Sequence, residues 1–179
     1  MVTLVFATYF FIIFFALIGM LRGWNKEVMV STSVILALAF ITVIEDLLPF
    51  TKDFIGDGSS TQFWVRSGIF VVVVFFGYHS SRLAPMLAGD TGKSSQLQNF
   101  ILGGLFGALN GFMIFTTIWY FMDYAGYPLA PNIVAPSYDT ATAETAQRLL
   151  NASPPVLLQG VWLWVALVVA VFIVMVAII

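Results

Sequence analysis

Residues 2–21 read VTLVFATYFFIIFFALIGML and contain no charged side chain. A helix needs roughly 20 such residues to cross a hydrocarbon core about 30 Å thick. No basic segment precedes the run and no small-residue cleavage site follows it, so we expect a retained membrane span and not a signal peptide. This stretch therefore predicts a transmembrane helix.

Further apolar stretches follow, and polar segments separate them. The predicted spans are Val2–Leu21, Val28–Ile44, Phe63–Leu83, Phe100–Ala125 and Gly160–Ile179. The sequence thus predicts an all-α fold, a polytopic transmembrane helical bundle of about five spans. Residues 1–125 form the predicted four-helix region and 160–179 a C-terminal span. Between them, 126–159 is a predicted extracytoplasmic loop with a short amphipathic helix whose Leu149 and Leu150 rest on the membrane surface.

The composition agrees with this class and excludes several others. Hydrophobic residues make up 60% of the 179-residue chain and charged residues only 9%, which excludes a soluble enzyme and a disordered protein. The net charge of −2 provides no basic face for nucleic acid. With no cysteine and one histidine, the chain cannot build a disulfide, a thiolate metal site or a multi-histidine site. No catalytic constellation is present, so we predict a non-enzyme without an intrinsic cofactor or metal.

Basic residues near the span ends predict the orientation. Arg22 and Lys26 follow the first span, and Arg82 and Lys93 follow the third, whereas the other loops are mainly acidic. Both basic loops lie on the same side of a five-span protein. We therefore expect the N-terminus outside and the C-terminus in the cytoplasm. Aromatic residues placed at the outer interface are Trp64, Trp119, Tyr120, Tyr124, Tyr127, Trp162 and Trp164, with Trp24 at the inner one.

A short turn joins the first two spans. The turn begins at Arg22, and Gly23 suits the left-handed position that follows a helix. Asn25 is the predicted N-cap of the second helix, and Glu27 faces its positive end. The segment therefore predicts a tight antiparallel helical hairpin.

The fourth span carries a strip of small residues. Gly103, Gly107 and Gly111 recur every four residues, and Gly104 and Ala108 widen the strip. In lipid, such a strip lets two helix backbones approach closely. The partner is left open: span one or two of the same chain, a second copy in a symmetric oligomer, or none, if the helix lines a pore.

Three polar residues within or near the spans are candidates for special roles. Asn110 must be hydrogen-bonded in hydrocarbon, either as a tether between helices or within a hydrated cavity. Arg66 and Asp123 lie near the outer ends of antiparallel spans and form a candidate ion pair, with a transport role as the alternative. His79 is a candidate pigment ligand in a larger complex, a pH sensor, or simply an interfacial histidine.

Two stretches resemble the colicin V production protein (CvpA) family over about residues 1–127. Residues 16–27, ALIGMLRGWNKE, resemble that family's first turn, and 102–111, LGGLFGALNG, closing with YFMD at 120–123, resemble its glycine-rich last span. VRSG at 65–68 falls where its third span opens. The resemblance implies an inner-membrane protein linked to envelope homeostasis or export.

The chain also departs from the family pattern. It lacks an acidic residue near the start of span one, has Asn110 where the family usually has arginine, and has Asn99 and Phe100 where a charged residue is usual. Gly160–Ile179 is a span beyond the usual four. These departures leave three functional hypotheses open.

The first hypothesis is a structural, envelope-homeostasis or export-related role, with the lipid bilayer and other membrane protein subunits or a homo-oligomer as partners. The second is a non-catalytic accessory subunit of a photosynthetic or respiratory complex, in which lipid, quinone or pigment would bind only within the complex. The third is a small channel or transporter, in which Asn110, Thr116 and Thr117 line a hydrated path.

Overall fold

The computed structural model describes residues 4–47, 55–79, 93–136 and 141–178, and all regular structure in these ranges is helical. The helices are α1 (Leu4–Arg22), α2 (Trp24–Leu47), α3 (Ser60–His79), α4 (Lys93–Tyr124), α5 (Ala141–Asn151), α6 (Pro154–Leu157) and α7 (Val161–Ile178). This confirms the predicted all-α bundle.

Among the described residues, four helices are long and apolar enough to cross a membrane, namely α1, α2, α3 and α4. The fifth predicted span corresponds to α7, whose apolar stretch Val161–Ile173 is shorter. α2 begins four residues before the predicted Val28 and ends at Leu47. α4 begins at Lys93, well before the predicted Phe100, because the polar residues 93–99 have good helix formers among them. The predicted end of span three at Leu83 lies outside the described residues.

One residue separates α1 from α2. Gly23 adopts a φ of +86° and donates its N–H to the Gly19 carbonyl at 2.8 Å, which ends α1. The chain reverses there because only glycine enters this left-handed conformation at low cost. The two helices thus run in opposite directions from a tight turn, as predicted, but α1 packs on α4 and not along α2. This end of the bundle is called the turn end below. The opposite end, where α2 finishes and α3 begins, is called the far end.

The bundle is built on two sets of helix contacts, one made by α1 and one made by α2. α1 lies mainly on α4, and α2 lies between α3 and α4 with α7 on a further side. The buried stripe of α2 includes Val30, Val34, Ala37 and Leu38, and it meets Phe70 of α3 in the core. Large apolar side chains on the outer faces of α1, α3 and α7 remain exposed, as expected for helices that face lipid.

The segment after α4 folds back onto the bundle at the far end. α4 ends where Tyr127 donates its N–H to the Met122 carbonyl at 2.9 Å and Gly126 donates to Asp123 at 3.0 Å. This pair of hydrogen bonds forms a Schellman motif. Leu149 and Leu150 of α5 pack against the hydrophobic core cluster, so they contact protein where the sequence suggested the membrane surface.

Candidate functional site

The glycine strip of α4 lies directly against α1. A Cβ atom added at Gly111 would lie 2.6 Å from the Phe11 carbonyl oxygen, and one added at Gly103 or Gly107 would overlap the carbonyl of Gly19 or Phe15. Only hydrogen atoms at these positions leave room for the facing backbone. Of the partners left open by the sequence, the structure places span one against the strip.

A flexible side chain fills the space beside Gly104. A Cβ at Gly104 would lie 2.8 Å from the Met20 side chain of α1, and Ala108 beside it is half-buried. A thioether chain adapts to such a shallow groove. The α1–α4 contact is thus backbone against backbone along its centre and side chain against backbone at its edge.

Beside this contact, a buried group of polar residues joins four helices at the turn end. We call it the turn-end cluster; it consists of Arg22, Glu27, Ser31, Tyr78 and Asn110. Arg22 Nη1 lies 2.7 Å from Glu27 Oε1, and the Glu27 side chain is fully buried. Arg22 Nη2 donates to the Tyr78 carbonyl at 3.0 Å, and its guanidinium lies 4.5 Å from the centre of the Tyr78 ring. The arginine of α1 therefore binds both α2 and α3.

Asn110 adds α4 to the same cluster. Its Nδ2 donates to the Glu27 carbonyl oxygen at 2.9 Å and to Glu27 Oε2 at 2.8 Å. Its Oδ1 accepts a hydrogen bond from the Ser31 hydroxyl at 2.7 Å. Asn110 is fully buried, and these three bonds satisfy an amide that has no access to water. The structure therefore gives Asn110 the geometry of a tether between helices.

The N-terminus of α2 is capped from α4. The Trp24 N–H donates to Asn99 Oδ1 at 3.2 Å, and the amide of Asn99 occupies the space where a Cβ of Gly23 would lie. Asn25, the residue that the sequence suggested as N-cap, lies inside the helix because α2 begins one residue earlier. A cap from a residue 75 positions away leaves no local pattern in the sequence.

A second polar group lies at the far end. We call it the far-end cluster; it consists of Glu45, Asp57, Gln62, Arg66 and Tyr124. Arg66 Nε donates to Glu45 Oε1 at 2.6 Å and Nη2 donates to Oε2 at 2.8 Å, so the pair is bidentate. The Arg66 guanidinium lies 4.9 Å from the centre of the Tyr124 ring, and the Tyr124 hydroxyl donates to Asp57 Oδ1 at 2.7 Å.

This arrangement corrects the predicted pair between Arg66 and Asp123. Phe121 and Tyr124 of α4 face Arg66, whereas Asp123 lies on another side of the helix and is exposed. Glu45 was missed because it was assigned to the loop after span two. The signal that could have found it is its position five helical turns after Glu27, on the same face of α2.

A cavity of about 360 Å³ adjoins the far-end cluster. Its lining residues are Glu45, Asp46, Ile55, Gly56, Asp57, Gln62 and Arg66. Gln62 is buried and donates to Glu45 Oε1 at 3.4 Å, and its own backbone N–H donates to the Ser59 hydroxyl at 3.1 Å. The polar walls of the cavity are therefore held by contacts among α2, α3 and the segment before α3.

The remaining sequence candidates are placed apart from both clusters. His79 is exposed at the end of α3 and stacks on Phe75, with 6.1 Å between ring centres. Thr116 donates to the carbonyl of Phe112 at 2.7 Å, and both Thr116 and Thr117 are fully buried. In the part of the chain that the structure describes, no three His, Asp or Glu side chains are grouped to hold a metal ion.

Comparison with known proteins identifies a family. No curated protein and no solved structure is significantly similar to the chain. The sequence profile of the colicin V production protein family, however, matches residues 6–143. The match covers α1 to α4 and both polar clusters, and it ends before α7. The chain is therefore a multi-pass membrane protein that belongs to the colicin V production protein family.

Proposed function

We propose that this protein is a non-catalytic helical scaffold in a bacterial inner membrane that serves export or envelope homeostasis together with other membrane proteins. One observation carries the proposal. Glu27, Asn110, Glu45 and Arg66 each bond to a side chain of a different helix of the same chain. The polar groups of the bundle thus hold helices together, which is the chemistry of a scaffold.

The same contacts favour a scaffold over a channel. The amide of Asn110 is hydrogen-bonded to Glu27 and Ser31, and the Thr116 hydroxyl is hydrogen-bonded to a carbonyl of its own helix. Between the two clusters, α2 presents Val30, Val34 and Leu38 to the core. Within the described residues, this mainly apolar interface offers no continuous row of polar groups to an ion or solute.

The charge distribution supports an orientation with the turn end in the cytoplasm. Arg22 and Lys26 lie at the turn end, whereas Glu45, Asp46 and Asp57 surround Arg66 at the far end. Basic residues near span ends favour the cytoplasmic side. Because the chain has no cysteine, single variants Lys26→Cys and Asp57→Cys can be labelled with an impermeant maleimide on intact cells. We expect labelling at position 57 only. Labelling at position 26 alone would show that the turn end lies outside the cytoplasm and would contradict the proposed orientation.

The functional test is complementation of a gene deletion. We expect the deletion strain to become sensitive to detergents or to lose export of a secreted reporter, and the wild-type gene to restore the phenotype. Asn110→Leu, which breaks the turn-end cluster, should restore it poorly, while Gly68→Ala, on an open face of α3, should restore it fully. A deletion with no envelope or export defect would contradict the proposal.

The mass and composition of the protein after gentle detergent extraction test the partner. A scaffold should migrate with other membrane proteins or as a homo-oligomer. Migration at fixed stoichiometry with pigment- or quinone-bearing subunits would instead favour an accessory subunit of an energy-transducing complex. In that case His79→Leu would show by an altered pigment spectrum whether the histidine is a ligand.

A further inference from the structure

The two polar clusters are linked by a single helix of fixed length. Glu27 and Glu45 both belong to α2 and are 18 residues apart, which is five turns of an α-helix. Both glutamates therefore lie on one face of α2, and their Cα atoms are about 27 Å apart. The buried residues Val30, Val34 and Leu38 lie on α2 between them.

Each glutamate forms an ion pair with an arginine that also lies over a tyrosine ring. Arg22 pairs with Glu27 and lies over the Tyr78 ring, and Arg66 pairs with Glu45 and lies over the Tyr124 ring. The arginine side chains are 21% and 14% exposed, so each pair has limited contact with its surroundings. Charged pairs tolerate the interfacial region of a bilayer, but their cost rises steeply as they move towards its centre.

Two of the exposed tryptophans lie near the same two levels. Trp24 opens α2 one turn before Glu27 and is 39% exposed, and Trp64 precedes Arg66 by two residues and is 58% exposed. Tryptophan prefers the boundary between hydrocarbon and headgroups. The helix α1, which packs along the bundle, has 19 residues and is about 28 Å long. The spacing of the two glutamates and the length of α1 thus agree, and the two tryptophans lie near the same levels.

We propose that the turn-end and far-end clusters fix the hydrophobic length of this bundle and thereby select its lipid partner, a bilayer whose hydrocarbon core is about 27 Å thick. A thicker bilayer would draw one ion pair into hydrocarbon, and a thinner one would expose the apolar faces of α1 and α3 to headgroups. Mismatch in either direction costs fractions of a kcal/mol for each ångström. The inference does not rest on the proposed scaffold function.

The test measures lipid preference directly on the full chain. The protein is reconstituted in phosphatidylcholine vesicles whose two chains are myristoleoyl, palmitoleoyl, oleoyl, eicosenoyl or erucoyl, each mixed with a brominated oleoyl lipid. Quenching of the exposed tryptophans gives the relative binding constant for each chain length. We expect a maximum at palmitoleoyl or oleoyl chains and a fall of about twofold or more at both extremes. A maximum at either extreme, or no dependence on length, would overturn the proposal.

A double variant tests whether the far-end cluster sets this length. Glu45→Leu with Arg66→Leu removes the ion pair and extends the apolar part of α3, so its maximum should move to longer chains. Glu144→Gln with Arg148→Gln removes an exposed ion pair of α5 and should leave the maximum unchanged. An unshifted maximum in the first variant would assign the length to the apolar helices alone. If that variant does not fold, the wild-type profile and Arg66→Lys, which keeps a cation at the same depth and should keep the maximum, decide.

Discussion

Arg22 and Glu27 face each other across the one-residue break between α1 and α2, with 2.7 Å between Nη1 and Oε1. The pair closes the hairpin, and through the Tyr78 carbonyl and Asn110 it also binds α3 and α4. A single buried carboxylate thus receives hydrogen bonds from two other helices. Its loss would affect the whole turn end and not the hairpin alone.

We expect Arg22→Met to destabilise the protein by about 3–5 kcal/mol, because it leaves the buried Glu27 carboxyl group without its cation. The free energy of unfolding in detergent micelles measures the effect. The double variant Arg22→Met with Glu27→Met should recover a large part of the loss, since an apolar pair can replace a buried ion pair.

Arg148 provides the matched control for that experiment. It pairs with Glu144 one turn away on α5, and both side chains are mostly exposed at 82% and 77%. Arg148→Met should therefore change the free energy of unfolding by about 0.5 kcal/mol or less. Equal losses for Arg22→Met and Arg148→Met would show that the turn-end pair is not buried as described.

The α1–α4 contact predicts opposite effects of one substitution at two glycines. Gly107→Ala should destabilise by about 1–3 kcal/mol, because its methyl group would overlap the Phe15 carbonyl and the backbones would have to separate. Gly68→Ala should be neutral or stabilising by up to about 1 kcal/mol, because a Cβ there meets open space and alanine is the better helix former. Both are measured by unfolding in the same detergent. If Gly107→Ala were as harmless as Gly68→Ala, α1 would not lie against the strip.

Hydropathy and the spacing of small residues predicted much of the fold. The apolar runs predicted the positions of all four long helices. Gly103, Gly107 and Gly111 indicated a close helix contact, because residues without a side chain let two helix backbones approach closely. The helix ends were less predictable, because polar residues such as those at 93–99 continue a helix beyond the apolar core.

Partners between distant residues were beyond a single sequence. Several acidic residues lie near Arg66, and its pairing with Glu45 in place of the predicted Asp123 depends on which face of α4 turns towards α3. The cap that Asn99 provides for α2 depends on the close α1–α4 contact, so no local motif announces it. Such choices follow from tertiary packing, which hydropathy does not encode.

The far end offers a third test at a buried aromatic pair. Trp119 Nε1 donates to the Tyr127 hydroxyl at 3.1 Å, and both side chains are buried within the bundle. Tyr127→Phe leaves the indole N–H without this acceptor and should cost about 1–3 kcal/mol. Tyr120→Phe, which alters a neighbouring half-buried tyrosine, is the control and should cost less. An unaltered unfolding midpoint for Tyr127→Phe would argue against this hydrogen bond.

Asn99 allows the capping contact to be tested apart from packing. Asn99→Ala removes the acceptor for the Trp24 N–H and should destabilise by about 1 kcal/mol, the usual value of an N-cap. Asn99→Asp keeps an oxygen acceptor at the positive end of α2 and should retain most of the stability. Gln98→Ala changes the exposed neighbour and should have little effect. If Asn99→Asp were as unstable as Asn99→Ala, the contribution of Asn99 would come from the N–H groups of its amide and not from the cap.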